Sequence, residues 1–318
     1  KAYRANRVGI IQTRDPRALR KASSRADKDC VIWFQKALVS FMGPYMSVPA
    51  PLIDRSALLR QRARPQRIRP DFLQVAALED LKDRLQMVTK AFTDMVIIAA
   101  DPKIWAAAYP QARVISDDDV LDLAPDSCDL IVHALALHWA NDPLGQLIQC
   151  RRALRGDGLL LAALLGGRSL FQLRSALAEA EIAVMGGVSP RVLPMAEIRE
   201  LGSLLQRAGL ALPVADSFEI TAQYKDLRHI MHDLRAMGES NAQQVRLKKF
   251  TPRRLFETAQ DIYAEHFAQP DGLLPVLFEM IWLTGWAPDA SQQQPLRPGS
   301  AQTRLSDALQ VPERPLQD

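Results

Sequence analysis

The sequence predicts an α/β domain built on a parallel sheet, and three observations carry that reading. Apolar runs of strand length recur at 95–100, 128–135 and 159–165, nearly continuous in the manner of strands buried on both faces. Between and after them lie segments with helical spacing of apolar residues, bounded by Asp, Pro and Gly punctuation. Strand, helix and strand at this spacing describe a right-handed parallel unit.

Residues 1–48 carry scattered charge without clear period and are expected to be an N-terminal extension, with Met46 just before better-patterned sequence. From Ile53 to Arg69, six arginines (55, 60, 62, 64, 67, 69) crowd a Pro-punctuated stretch. It reads as a solvated leader; aromatic side chains that would stack bases are missing, which argues against a nucleic-acid arm. Apolar residues at 72, 75, 78, 81 and 85 predict a helix over 71–90 leading into the first strand. A short crossover over 101–112 follows, then Arg113-Val114-Ile115-Ser116, an acidic turn at Asp117, Asp118 and Asp119, and the strand at 128–135.

Asn141-Asp142-Pro143 caps the next helix, 144–154: Pro suits the first turn, and an acid there faces the positive end of the dipole. That helix is expected to stop at Arg155-Gly156-Asp157-Gly158, the glycines supplying a left-handed stop and a turn. The strand at 159–165 closes at Gly166-Gly167, and helices near 168–185 and 195–208 are expected to form a helical insertion. Strands at 218–224 and 275–286 are expected to complete the sheet as an antiparallel pair, with helices near 225–237 and 252–267. The domain is placed at 49–286, and a Pro-, Gln- and Ser-rich tail at 287–318.

The chain of 318 residues is 48% hydrophobic, enough for a sizeable core. Its net charge of +4 is uneven: residues 1–50 carry +7 and the remainder −3. Cys30, Cys128 and Cys150 are widely spaced and unpaired in motif, which suits a reducing compartment, and the latter two are expected to be structural. The apolar window 31–46 is too short and interrupted to span a bilayer. No P-loop, His-Glu-x-x-His, paired-cysteine or Ser-His-Asp ordering is present, so kinase and hydrolase readings fall away.

Five ordered motifs carry a family resemblance: Leu135-Ala136-Leu137-His138-Trp139, Gly166-Gly167 with Leu170 and Leu173-Arg174, Gly187-Val188-Ser189-Pro190-Arg191, residues 233–241, and Gly299-Ser300-Ala301. With the Asp129-Leu130-Ile131-Val132 strand, they resemble the class I S-adenosylmethionine-dependent methyltransferases over about residues 53–305. The subfamily is that of the mitochondrial complex I assembly factor that acts as an arginine hydroxylase, with its alphaproteobacterial relatives. The resemblance implies a Rossmann-like class I methyltransferase fold, here with a reduced parallel sheet and a C-terminal antiparallel strand pair. It also implies S-adenosylmethionine as cofactor and a protein partner, with a complex I subunit as the candidate. The compartment would be the cytoplasm in a bacterium or the mitochondrial matrix in a eukaryote.

The family usually carries a glycine-rich turn after the first strand, where backbone N–H groups meet the cofactor without intervening β-carbons. This chain offers Ala99-Ala100-Asp101-Pro102-Lys103, and the twelve residues of 101–112 hold one crossover rather than two. The cofactor site is therefore expected to be degenerate, with Ala99, Asp101, Asp117 and Asp118 as what remains of it. Asp101 is a cofactor-side carboxylate or a helix cap; Asp117 and Asp118 are an adenine-side contact or a solvated turn. His138 is the candidate proton carrier beside the reacting group. Trp139, Asn141, Ser189, Gly238, Glu239 and Ser240 are candidates for substrate or partner recognition. His133 is expected to be a hydrogen-bonded core residue. His229, His232 and Asp233 share a helix without a third ligand at recognisable spacing, so no metal site is expected. The expected function is that of a methyltransferase-family protein acting on or beside a protein, the alternative being a non-catalytic scaffold or chaperone.

Overall fold

The computed structural model describes residues 51–64, 71–293, 299–300 and 302–311. The extension expected at 1–48, Cys30, Arg67, Arg69 and Ala301 lie outside the described residues. Among the described residues, six strands form one sheet in the order β2-β1-β3-β4-β6-β5. These are β1 (Met95–Ala99), β2 (Arg113–Ile115), β3 (Cys128–Ala134), β4 (Leu154–Leu165), β5 (Ala211–Tyr224) and β6 (Leu274–Trp286). The first four run parallel, and β6 lies antiparallel between β4 and β5. The fold class is thus α/β, with a reduced parallel portion and a C-terminal antiparallel pair.

Alternate side chains leave each parallel strand on opposite faces, Ile97 and Ala99 into one apolar layer and Val96 and Ile98 into the other. Both faces are covered, which is why these runs carry almost no polar residue. One layer is closed by α2 (Phe72–Met87), α3 (Pro102–Ala108), α5 (Phe171–Met185), α7 (Leu227–Met237) and α8 (Arg253–Phe267). The other is closed by α4 (Pro143–Ala153) and α6 (Ile198–Arg207). The expected helical insertion is therefore resolved differently: α5 and α6 sit on opposite faces of the sheet, because each presents its apolar stripe to a different layer.

The crossover between β1 and β2 is as short as its length demands. α3 occupies seven residues, and Trp105 anchors it, fully buried with its indole donating to Gln74 Oε1 at 2.7 Å. Asp142 caps α4 as expected, its carboxylate accepting from Gly145 N at 2.8 Å, a contact worth about 1 kcal/mol. His133 is a hydrogen-bonded core residue, 2.9 Å from Gln146 Oε1, and burial pushes its pKa down to about 4, so it stays neutral.

Three expectations on element ends are corrected. Strand β4 begins at Leu154, directly after α4, and the left-handed residue of the 155–158 stretch is Asp157 (φ +59°) rather than either glycine. The glycines serve close approach instead: a β-carbon at Gly158 would stand 2.9 Å from the Arg155 carbonyl, and one at Gly156 2.4 Å from Asp289 Oδ2. Strand β5 starts at Ala211, seven residues before the expected Phe218; it is an edge strand with a bulge between Ala211 and Val214, where Pro213 hides the period. The tail contains a short helix, α9 (Leu305–Leu309).

The arginine-rich leader is also not simply solvated. Asp54 caps α1 (Arg55–Arg62) by accepting from Ala57 N at 2.9 Å, and Ile53 and Leu58 are buried with Trp139, Leu193 and Ala242 in a separate apolar cluster. Backbone bonds from Asp54 N to Ala242 O and from Gln244 N to Leu52 O, both 2.8 Å, tie the leader to the 239–246 segment.

Candidate functional site

In open parallel sheets, ligands bind beyond the carboxyl ends of the strands. Three cavities line up there. The first, about 640 Å³, is bordered by Ala99, Ala100, Asp101, Ile115 and Asp117 beneath the leader's Arg62. The second, about 380 Å³, reaches from Asp101 and Lys103 past Leu135 and Leu165 to His138 and Glu239. The third, about 300 Å³, lies between α5, α7 and α8 and is bordered by Trp139, Glu239 and Ser240. Asp101 and Lys103 border both the first and second cavities, and Glu239 both the second and third.

At the end of β1, Asp101 caps α3, its Oδ1 accepting from Lys103 N at 3.3 Å, with Pro102 at the first helical positions where it offers no N–H. Asp117, past the end of β2, is not a solvated turn residue. It is 4% exposed, and its carboxylate takes Arg62 at 2.9 and 3.0 Å and Arg55 at 3.2 Å, while Arg55 also donates to the Asp117 carbonyl at 2.7 Å. Burial works against ionisation of Asp117, but the two guanidiniums outweigh it and hold the carboxyl below the usual carboxylate range. Asp118 is exposed and lies 3.6 Å from Arg55.

Beyond β3, the 3-10 turn Leu137–Trp139 sets two side chains on one acid. Glu239 Oε2 accepts from the Trp139 indole at 2.7 Å and lies 3.2 Å from His138 Nε2. Burial disfavours the Glu239 carboxylate, yet the charge and hydrogen bond of His138, with Arg62 and the Trp139 indole behind them, keep it below its ordinary range. His138 is almost wholly buried, and its Nδ1 has no partner among the described residues. A carboxylate that orients an imidazole is the arrangement a proton carrier needs.

The remaining candidates are mostly spent on holding the site together. Asn141 clamps Ile53, accepting from its N–H at 2.8 Å and donating to its carbonyl at 3.2 Å. Gly238 ends α7 at φ +87°, and a β-carbon there would meet Arg62 Cγ at 3.0 Å. Ser189 donates through both N and Oγ to buried Glu181, which also pairs with Arg191 at 2.8 Å. Arg55, Arg62, Glu181 and Arg191 were not among the sequence candidates. Glu181 had left a signal, since it continues the 173–177 stripe of α5 that is otherwise buried and apolar. His229 and His232 are exposed and pair with Asp226 and Asp233.

These observations define first a class, an α/β domain with a parallel sheet and an antiparallel C-terminal pair, in which residues 85–162 match the family described as Methyltransferase domain. The similarity then narrows. The chain is 34% identical over 202 residues to the mitochondrial arginine-hydroxylase NDUFAF5 of Danio rerio, covering 64% of this chain and 63% of that one. The human NDUFAF5 is 35% identical over 192 residues, covering 60% and 55% of the two chains. A malonyl-[acyl-carrier protein] O-methyltransferase from Laribacter hongkongensis is 34% identical over 192 residues, covering 60% and 62%. The chain thus spans between 55% and 63% of the length of these relatives. Among solved structures, the YcgJ protein from Bacillus subtilis superposes on 67% of this chain and 99% of its own at a TM-score of 0.44 and 14% identity. No helix among the described residues is long and apolar enough to cross a membrane.

Proposed function

We propose that this chain is a methyltransferase-family protein whose cofactor site is degenerate and which acts on or beside a protein partner. Methyltransferase relatives imply S-adenosylmethionine as the ligand, but the residues beyond β1 and β2 do not fit a cradle for it. Ala99 and Ala100 carry β-carbons where backbone would approach the cofactor, and Pro102 removes a donor. The observation that carries the reading is Asp117: the buried acid past the end of β2, which we take as the adenine-side residue, is held by Arg55 and Arg62 of the chain's own leader.

The acceptor side retains its chemistry. Glu239 orients His138 in the second cavity, and the third cavity offers an apolar recess beside it. This pairing of a spent donor side with an intact acceptor side favours work beside a protein, and the likeness to NDUFAF5 makes a complex I subunit the candidate partner. The setting is the bacterial cytoplasm, or the mitochondrial matrix if the chain is eukaryotic. The non-catalytic scaffold is the second reading, favoured by the same arginine pair on Asp117.

Thermal unfolding in rising S-adenosylmethionine tests this. A ligand at about a hundred times its Kd adds about 2.7 kcal/mol, a rise of several degrees in Tm for a domain this size. The expected result is no shift up to millimolar cofactor. A saturable rise of several degrees overturns the degenerate site.

A further inference from the structure

The third cavity continues outward. Met231 of α7 and Phe256 of α8 border both it and a neighbouring recess of about 540 Å³, so the two form one groove along these helices. Its floor is apolar, with Leu173, Leu177 and Leu234 beneath Met231 and Phe256. Its surroundings are basic on the α7 side. Residues 225–254, from α7 to the start of α8, hold eight lysines and arginines against three acids, while the rest of α8 adds Glu257, Asp261 and Glu265 and no further Lys or Arg, leaving +2 over 225–267.

Glu257 borders the outer recess and pairs on the surface with Arg253 at 2.9 Å, and the acids of α7 and the turn after it are engaged by their neighbours. Asp226 takes His229, Asp233 faces His232, and Glu239 holds His138 and Trp139. Arg228 and Arg235, which border the groove, and Lys248, Lys249 and Arg254 beside it are exposed, and none has an ion-pair partner among the described residues. At the groove mouth, Arg191 meets Thr251 at 3.3 Å, and the adjoining Phe250 is 93% exposed. Uncompensated cations around an apolar trough, with a bare aromatic ring at its lip, leave both charge and apolar area unmatched.

We infer that the α7–α8 groove is the docking site of an acidic amphipathic segment of a partner protein. Apolar side chains at helical spacing fill the trough, the largest entering the third cavity, while carboxylates meet Arg228, Arg235 and the Lys248-Lys249 pair. A basic segment is disfavoured by Arg228, Arg235 and the Lys248-Lys249 pair, and a purely acidic one leaves the trough unfilled. The inference rests on the reading that the chain works beside a protein, and it supplies that partner's chemistry.

The test uses the full chain and a fluorescein-labelled helical peptide of about 20 residues, with leucines at positions i, i+3, i+4 and i+7 and glutamates elsewhere. Companion probes are the same peptide with lysine for glutamate, polyglutamate, and vesicles of phosphatidylglycerol and phosphatidylcholine. Binding of the Glu/Leu peptide at low salt is expected, weakened at least tenfold by the double variant Arg228→Glu and Arg235→Glu and by 0.5 M NaCl. Both substitutions lie on the surface, and circular dichroism confirms that the fold is kept. Equal binding of the lysine peptide or of polyglutamate, or no loss in the double variant, overturns the inference. Vesicle binding without peptide binding also overturns it and assigns the surface to lipid. None of these results changes the cofactor titration, so failure here is distinguishable from failure of the degenerate site.

Discussion

Replacing Asp117 with asparagine should release the leader from the crevice while leaving the sheet intact. The carboxylate accepts from Arg62 at 2.9 and 3.0 Å and from Arg55 at 3.2 Å, with side-chain exposures of 5% for the acid and 11% and 15% for the guanidiniums. Removing one partner of a buried ion pair costs about 3–5 kcal/mol. Here the guanidiniums reach water at their edges and Arg55 keeps the Asp117 carbonyl at 2.7 Å, which lowers the expected cost to about 2 kcal/mol. The leader is also gripped by the buried pair Ile53 and Leu58, the Asn141 clamp on Ile53, the Gln61 bond to the Asn241 carbonyl at 3.1 Å, the Asp54–Arg246 contact at 2.9 Å and the backbone bonds to 242–244. Asp117 therefore decides how often this segment opens rather than whether the domain folds.

Hydrogen exchange reads this directly. A loss of about 2 kcal/mol speeds exchange of the α1 amides roughly thirtyfold, because local opening is governed by local free energy. The amides of β1 and β3 should change little. The pH dependence carries a sign. The folded pKa of Asp117 is depressed, so the stabilisation is complete above the unfolded value near 3.8 and is lost as pH falls through the lower folded value. The wild-type leader should thus loosen in acid below about pH 4, whereas the asparagine variant should lack this component. Unchanged α1 protection in the variant, or an equal loss across β1 and β3, refutes the reasoning.

Two further outcomes follow from the same geometry. Gly238→Ala places a β-carbon at φ +87° and 3.0 Å from Arg62 Cγ; denaturant titration should show a loss of about 1–2 kcal/mol, and stability equal to wild type would count against the left-handed stop. Cys128 and Cys150 are buried, and burial raises both thiol pKa values; with dithionitrobenzoate at pH 8 and peptide mapping, neither should react before unfolding, and fast labelling of either would show an opening the fold does not contain.

Much of the architecture was legible locally. The runs at β1, β3 and β4 are apolar on both faces because helices cover both, and that burial leaves a continuous signature. Strand β5 was half missed because an edge strand with one exposed side and an early proline shows little apolar period. At 155–158 the glycines suggested a left-handed stop, but Asp157 adopts that conformation while the glycines make room for Asp289 and the Arg155 carbonyl. The candidate site was legible in part: His138, Trp139 and Glu239 were each singled out, and the fold joins them on one carboxylate oxygen.

By itself, the sequence determined most of the secondary elements, the shortness of the β1–β2 connection and the absence of glycine from its turn, since these depend on neighbours a few residues apart. The tertiary structure alone decided that Arg55 and Arg62 meet Asp117 across 62 and 55 residues, that Glu239 meets His138 across 101, and that α5 and α6 part to opposite faces. Such pairings are set by which strand ends the topology brings to one edge, and no local pattern of charge or period encodes a partner that distant.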